Sequence, residues 1–270
     1  MGTILDYYSK FDEWGRLDRE PLEFQVNWHF IQKYLPETGL VLDNGAGPGK
    51  YAMKLAQEGY RVTLTDLVPT LVEFAQSKAN ELGIVEHFDG FHVADARNLS
   101  KFQDEQFDAS LALGPMYHLQ KEQDRNLAIQ ELNRVTKQDG VVYVAFMPRT
   151  KHVLTSLLYP EHWKPNDNME SILNFRDTGE FNHSDEGRFT GAYYFDINDI
   201  QPFMESHGFE TLNLIGSSNL GSLLSKEQWA YWQNRGENEY GQLIELLKEA
   251  ATDPHILGIS SHLLYIGKKK

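Results

Sequence analysis

The sequence predicts an α/β protein built on a doubly wound, largely parallel sheet, and three observations carry that reading. From Leu40 to Met147 short apolar runs alternate with helix-like ones, the pattern of parallel strands joined by crossover helices. Each of the first three strand-like runs is closed by an aspartate, at Asp43, Asp66 and Asp95. A glycine cluster (Gly45, Gly47 and Gly49) stands between the first run and the helix after it.

Leu40-Val41-Leu42 is the first strand. Tyr51 to Glu58 reads as a helix with Ala52, Leu55 and Ala56 on one face and Gly59 as its stop. Arg61 to Thr65 is rich in β-branched residues and forms the second strand. A helix opens behind Pro69 and runs to Leu82, where Gly83 closes it. Phe91 to Ala94 and Phe107 to Leu113 are the third and fourth strands, and the fourth ends at Gly114-Pro115. Lys121 to Thr136 is amphipathic, with Leu127, Leu132 and Val135 among its apolar positions. Gly140 introduces the fifth strand, Val141 to Met147.

The flanks are less regular. Tyr7 to Leu35 is mainly helical and precedes the first strand. Arg149 to Tyr194 is polar, rich in aromatics and histidine and without clear periodicity, which suits a lid or small subdomain over the sheet. Asp199 to Gly208 resembles a helix, Phe209 to Ile215 a strand, Lys226 to Ala250 a helical insertion and His262 to Ile266 a last strand before a solvated lysine tail. The expected organisation is a helical cap (1–37), a ligand-binding core (38–148), a lid or substrate insertion (149–198) and a C-terminal completion of the sheet (199–270).

Composition narrows the chemistry. The chain has 270 residues, 41% apolar and 12% aromatic, with a formal net charge of -14. Nucleic-acid binding leaves a basic footprint, so this charge argues against a nucleic-acid substrate. The absence of cysteine rules out disulfides, thiolate catalysis and cysteine-ligated zinc. No run approaches the ~18 apolar residues of a membrane span, and the N-terminal residues have no apolar core suited to a signal peptide. A cytoplasmic protein is expected. His152, His162 and His183 lack metal-ligand spacing, and no metal is expected.

The informative segment is Asp43-Asn44-Gly45-Ala46-Gly47-Pro48-Gly49. Ligands of open α/β sheets lie at the carboxyl ends of strands, which is where this turn falls. A dinucleotide fold wants G-x-G-x-x-G, whose third glycine would be residue 50, and that residue is Lys50. A P-loop wants a hydroxyl after its lysine, and Tyr51 stands there instead. Aspartates closing three strands would repel a pyrophosphate but suit a cationic ligand with ribose hydroxyls. S-adenosylmethionine, with a sulfonium, an ammonium and a ribose diol, has that chemistry.

The segment 43–49 resembles motif I, D-x-G-x-G-x-G, of the class I S-adenosylmethionine-dependent methyltransferases. The resemblance covers residues 38–148 and the closing strands near 209–215 and 262–267. It implies a seven-stranded Rossmann-like sheet of order 3-2-1-4-5-7-6 with strand 7 antiparallel. It places Gly45, Ala46 and Gly47 against the methionine part of the cofactor and Asp43 near its ammonium. Asp66, with Leu67 beside it, would hold the ribose, and Asp95-Ala96 would lie beside the adenine. Leu113-Gly114-Pro115 would line the methyl donor, and Tyr117 and His118 would face the acceptor, His118 as a candidate general base. Tyr7 and Tyr8 would close over the cofactor. Asn44 departs from the usual Leu or Ile.

The expected function is methyl transfer to a small-molecule acceptor, with S-adenosylmethionine as cofactor. Phe189, Tyr193, Tyr194 and Phe195 read as a substrate wall. Two alternatives stand beside this: an NAD(P)-dependent oxidoreductase, and a regulatory module that binds S-adenosylmethionine without turnover.

Overall fold

A computed structural model describes residues 14–15, 21–185 and 188–270. Helix α1 (Pro21–Tyr34) buries Leu22, Val26, Trp28, Phe30 and Ile31 ahead of the sheet. The alternation then runs β1 (Leu40–Asn44), α2 (Lys50–Gln57), β2 (Arg61–Asp66), α3 (Pro69–Glu81), β3 (Phe88–Val93), β4 (Phe107–Ala112), α4 (Glu122–Val135) and β5 (Thr136–Phe146). An insertion follows, with α5 (Arg149–Leu158), α6 (Met169–Thr178) and a two-stranded pair, β6 (Glu180–Phe181) and β7 (Ala192–Tyr193). The chain closes with α7 (Ile197–Ser206), β8 (Phe209–Gly216), α8 (Lys226–Asn234), α9 (Glu237–Ala250) and β9 (Leu263–Lys269).

The main sheet has seven strands in the order β3-β2-β1-β4-β5-β9-β8. Because β6 and β7 form a separate pair, this is the expected 3-2-1-4-5-7-6 order. The first five strands are parallel, and β9 runs antiparallel to both β5 and β8. Helices cover both faces. Along β5 the two-residue period sends Tyr143 into the core with α1, α2 and α3, and Val142 and Val144 into the core with α4 and α7.

The antiparallel strand matters for the site. Leu263 at the start of β9 pairs with Phe146 at the end of β5 and with Gly216 at the end of β8. The carboxyl edge of the parallel strands therefore also receives the residues just before β9 and just after β8.

Several boundaries differ from the sequence reading. Strand β3 starts at Phe88 rather than Phe91. Its register with β2 shifts between Val62 and Thr63, which absorbs Asp89, while Asp89 ion-pairs with Arg61. Strand β5 begins at Thr136, then loses register with β4 until Val141. The helical insertion breaks at Gly236 into α8 and α9. The lysine tail is not simply solvated: β9 runs through Lys269, whose Nζ donates to the Thr136 carbonyl at 2.8 Å.

The insertion has a core of its own, in which Phe175, Phe181 and Tyr194 surround the buried His152. Gln120, after β4, ties this unit to the sheet edge through the Ala192 carbonyl at 3.1 Å and Asn182 Oδ1 at 3.1 Å. Among the described residues, no helix is long and apolar enough to cross a membrane.

Candidate active site

The glycine loop leaves β1 at its carboxyl end and is pinned to β2 from several directions. Gly45 and Ala46 both donate their N–H to the Thr65 carbonyl, at 2.9 and 3.0 Å. Asn44 is buried, and its Oδ1 accepts from the Thr65 hydroxyl at 2.9 Å. A polar side chain is thus satisfied where the family usually packs Leu or Ile. Gly45 has a φ of 72°, and a Cβ there would meet Pro115 Cγ at 2.5 Å. The loop and the segment after β4 therefore touch backbone to ring, which no larger residue permits.

The three aspartates have distinct surroundings. Asp43 is 2% exposed, and its Oδ2 has no hydrogen-bond partner. Burial, with the Asp66 charge nearby adding to it, pushes its carboxyl up to about 7. A buried carboxyl that takes a backbone hydrogen bond from Ala52 but keeps Oδ2 unpaired fits an incoming cation at the root of this loop. Asp66 knits the loop to the next crossover: Oδ2 accepts from Gly47 N at 2.7 Å and Oδ1 from Val68 N at 2.8 Å. Asp95, beyond β3, is gripped by Arg97, whose guanidinium also reaches Asp124. That pairing holds the Asp95 carboxyl below its ordinary range despite partial burial.

Leu67, Ala96 and Leu113 are half-buried at the ends of β2, β3 and β4. Tyr117 is buried, and its hydroxyl donates to the Leu113 carbonyl at 3.2 Å. The His118 ring packs 4.8 Å from Tyr117 and 5.3 Å from Phe189. Burial, reinforced by repulsion from His262, pushes its imidazole down to about 4 and keeps it neutral. Of the expected aromatic wall, only Phe189 faces His118. Tyr194 and Phe195 are buried in core clusters, and Tyr193 carries the Arg125 guanidinium 3.5 Å above its ring. Tyr7 and Tyr8 lie outside the described residues. Among the described residues, no group of three or more His, Asp or Glu side chains is placed to hold a metal.

The edge thus gathers Asp43, Gly45, Ala46, Gly47 and Asp66 in one place, with the Tyr117 segment against it. Residues 42–144 match the family described as methyltransferase domain. Over that segment the chain is similar to methyltransferase domains, and its sheet has the strand order of the class I S-adenosylmethionine-dependent enzymes.

The chain is 30% identical over 141 residues to a glycine/sarcosine N-methyltransferase of Parasynechococcus marenigrum, covering 51% of the chain and 49% of that protein. It is 31% identical over 137 residues to a tRNA (carboxymethyluridine(34)-5-O)-methyltransferase of Arabidopsis thaliana, covering 48% of the chain and 31% of that protein. The chain thus spans about half or less of the length of these curated relatives. An S-adenosylmethionine-dependent methyltransferase of Methanosarcina mazei superposes with a TM-score of 0.59 at 21% identity, covering 89% of this chain and 96% of that one. A Haloferax volcanii protein solved with the Trm112 methyltransferase activator gives 0.62 at 16% identity, covering 98% and 96%. These two likenesses are of fold.

The same edge also holds residues that no sequence motif singles out. His262, immediately before β9, lies 5.6 Å from the Tyr117 ring, and its Nδ1 is 3.0 Å from Glu23 Oε2 of α1. No spacing rule links positions 23 and 262. The only available signal was the antiparallel last strand, whose start must share an edge with the ends of the parallel strands.

Proposed function

We propose that this chain transfers a methyl group from S-adenosylmethionine to a small-molecule acceptor. The observation that carries this is the buried Asp43 carboxyl, with its orphaned Oδ2, beneath a glycine loop that Asp66 braces. Asp43 would receive the cofactor's ammonium, Gly45 to Gly47 its methionine backbone, and Asp66 with Leu67 its ribose. Asp95, Ala96 and Leu113 would flank the adenine and the methyl donor, with Tyr7 and Tyr8 covering them. Tyr117 and His118 would face the acceptor, beneath the insertion at 149–198. The cofactor supplies a sulfonium methyl: the acceptor's electron pair forms the new bond to carbon while the carbon–sulfur pair stays with sulfur. The protein supplies orientation and exclusion of water.

Charge supports a small acceptor over RNA, despite the tRNA methyltransferase among the relatives. The net charge is -14, and the arginines beside the adenine end are already paired, Arg97 with Asp95 and Asp124, and Arg134 with Asp104 and Glu131. Phosphates would have to compete with those carboxylates. The absence of cysteine fits a cytoplasmic setting.

Calorimetric titration with S-adenosylmethionine, S-adenosylhomocysteine and NADH tests the reading. Saturable binding of both adenosyl ligands and none of NADH is expected, and NADH binding alone would refute it. Asp66→Ala is expected to weaken adenosyl-ligand affinity by at least tenfold, since it removes both the ribose contact and the acceptor for Gly47 N.

A further inference from the structure

The sheltered cations of this acidic chain are mostly neutralised by the protein itself. Arg97 is held by Asp95 and Asp124, Arg134 by Asp104 and Glu131, and Lys269 by Glu105. Arg125 lies under the Tyr193 ring and donates to the Leu119 carbonyl. Lys151 differs. It is half-buried, and its Nζ donates to Ser222 Oγ at 3.3 Å. Burial alone holds its amine below the ordinary value, with no carboxylate near enough to offset it.

Ser222 cannot neutralise that charge. Its own proton goes to the Asn219 carbonyl at 2.9 Å or the Ile259 carbonyl at 2.8 Å, so it offers the ammonium a lone pair only. Two of the three ammonium hydrogens are left without a protein acceptor among the described residues. A sheltered charge in that state is costly until an anion meets it.

The place of Lys151 in the fold is set by its helix. It is the third residue of α5, whose first turn has no side-chain cap. Helical side chains point back towards the N-terminus, which here leads to the carboxyl end of β5. The first turn packs on the loop before β9, where a Cβ on Gly258 would lie 3.5 Å from Thr150 Cγ2. The uncapped end of the helix adds its own positive potential. The turn that carries Ser222 begins at Ser217, which is fully buried and whose hydroxyl has no partner. The two elements that meet at the Lys151–Ser222 contact thus each hold a donor for which the protein supplies no acceptor.

We propose that Lys151 anchors an oxyanion subsite of the acceptor pocket, where it takes a carboxylate or phosphate carried by the methyl acceptor. This rests on the methyltransferase reading above and narrows its acceptor to anionic small molecules. The order of the sheet sets the acceptor's orientation. Strand β4, whose end is assigned to the methyl donor, lies on one side of β5, and β9 lies on the other. The anionic group sits on the β5–β9 side and the methylated atom on the β4 side, about two strand spacings or ~10 Å away.

The test follows the Lys151 Cε signal by carbon NMR, assigned by its loss in Lys151→Arg, during titration with acetate, inorganic phosphate and methylammonium. In the wild type both anions should shift the signal saturably and raise the amine's pKa, and methylammonium should do neither. The tighter of the two anions identifies the acceptor's group as carboxylate or phosphate. Lys151→Met should weaken anion binding by about tenfold or more, while S-adenosylhomocysteine affinity stays within about twofold. Acetate and S-adenosylhomocysteine should bind together. Absence of a saturable shift with either anion overturns the proposal, as does unchanged anion affinity in Lys151→Met. Displacement of acetate by S-adenosylhomocysteine also overturns it, since the site would then belong to the cofactor's own carboxylate. Should the variant lose its fold, the wild-type titrations still decide. Failure of the wild type to bind S-adenosylhomocysteine would instead refute the methyltransferase reading itself.

Discussion

At the scale of single residues, Asp43 gives the most direct physical handle on the cofactor. Burial leaves its carboxyl titrating at about 7, so near neutral pH it is close to half protonated. An ammonium placed against it stabilises the ionised form, so binding expels the proton. Calorimetry of S-adenosylhomocysteine binding at pH 7, in buffers of differing ionisation enthalpy, should report release of ~0.5 proton. Asp43→Asn should abolish that release and weaken binding by about tenfold to a hundredfold, the range for a hydrogen bond to a charged group. The ligand-free chain carries the reverse signature. Because the folded pKa lies above the ordinary value of 3.8, this group's contribution to stability is fully present below about pH 4. It is lost as pH rises through about 7. Proton uptake or silence on binding would mean that no cation reaches Asp43.

At the scale of elements, the edge is completed by the last antiparallel strand pair, β8 and β9, which returns to it across the α8–α9 insertion. The loop after β8 and the residues before β9 are tied by Ser260, which is fully buried. Ser260→Ala would strip the acceptor from the Ser218 and Asn219 N–H groups and the donor from the His262 carbonyl. Leaving such groups unpaired should cost about 1–3 kcal/mol, measurable as a lower urea midpoint. This element also marks where sequence reading stopped. Motif I and its aspartates were legible because all the residues concerned lie within one βαβα run, where local periodicity and turn chemistry dictate position. The Glu23–His262 pair was not, because it joins residues 239 positions apart (262 − 23) through topology alone. Strand β3 was misplaced for a smaller reason: Asp89-Gly90 interrupts the apolar signal, yet the sheet tolerates it by slipping register. Of the four expected wall aromatics, Phe189 packs on His118 and Tyr194 shares the buried cluster of Tyr117, while Phe195 lies in the core with α7.

At the scale of the whole molecule, the insertion between β5 and α7 is a small folded unit docked on the acceptor side, and its core is built around a histidine. The His152 ring packs 4.4 Å from Tyr194, 4.5 Å from Phe181, 4.7 Å from Phe175 and 5.0 Å from Trp163. Its Nε2 has no hydrogen-bond partner. Burial, with repulsion from His183 added, pushes this imidazole down to about 3, so the folded chain holds it neutral across the physiological range. The unfolded chain takes up that proton near the ordinary value of 6.5. The contribution is therefore present above about pH 6.5 and is lost as pH falls towards 3. The insertion is then expected to be the first part of the molecule to loosen in acid. His152→Phe removes the titrating group without breaking a bond at Nε2 and keeps a planar ring in the aromatic core. Urea midpoints at pH 7.5 and pH 5 should differ less in this variant than in the wild type. Binding of S-adenosylhomocysteine at pH 7.5 should be unchanged, because the loops assigned to the cofactor follow β1, β2, β3 and β4 rather than lying in the insertion. Equal acid sensitivity in both proteins would place the acid-labile element elsewhere, with His118 at the sheet edge the next buried imidazole to replace.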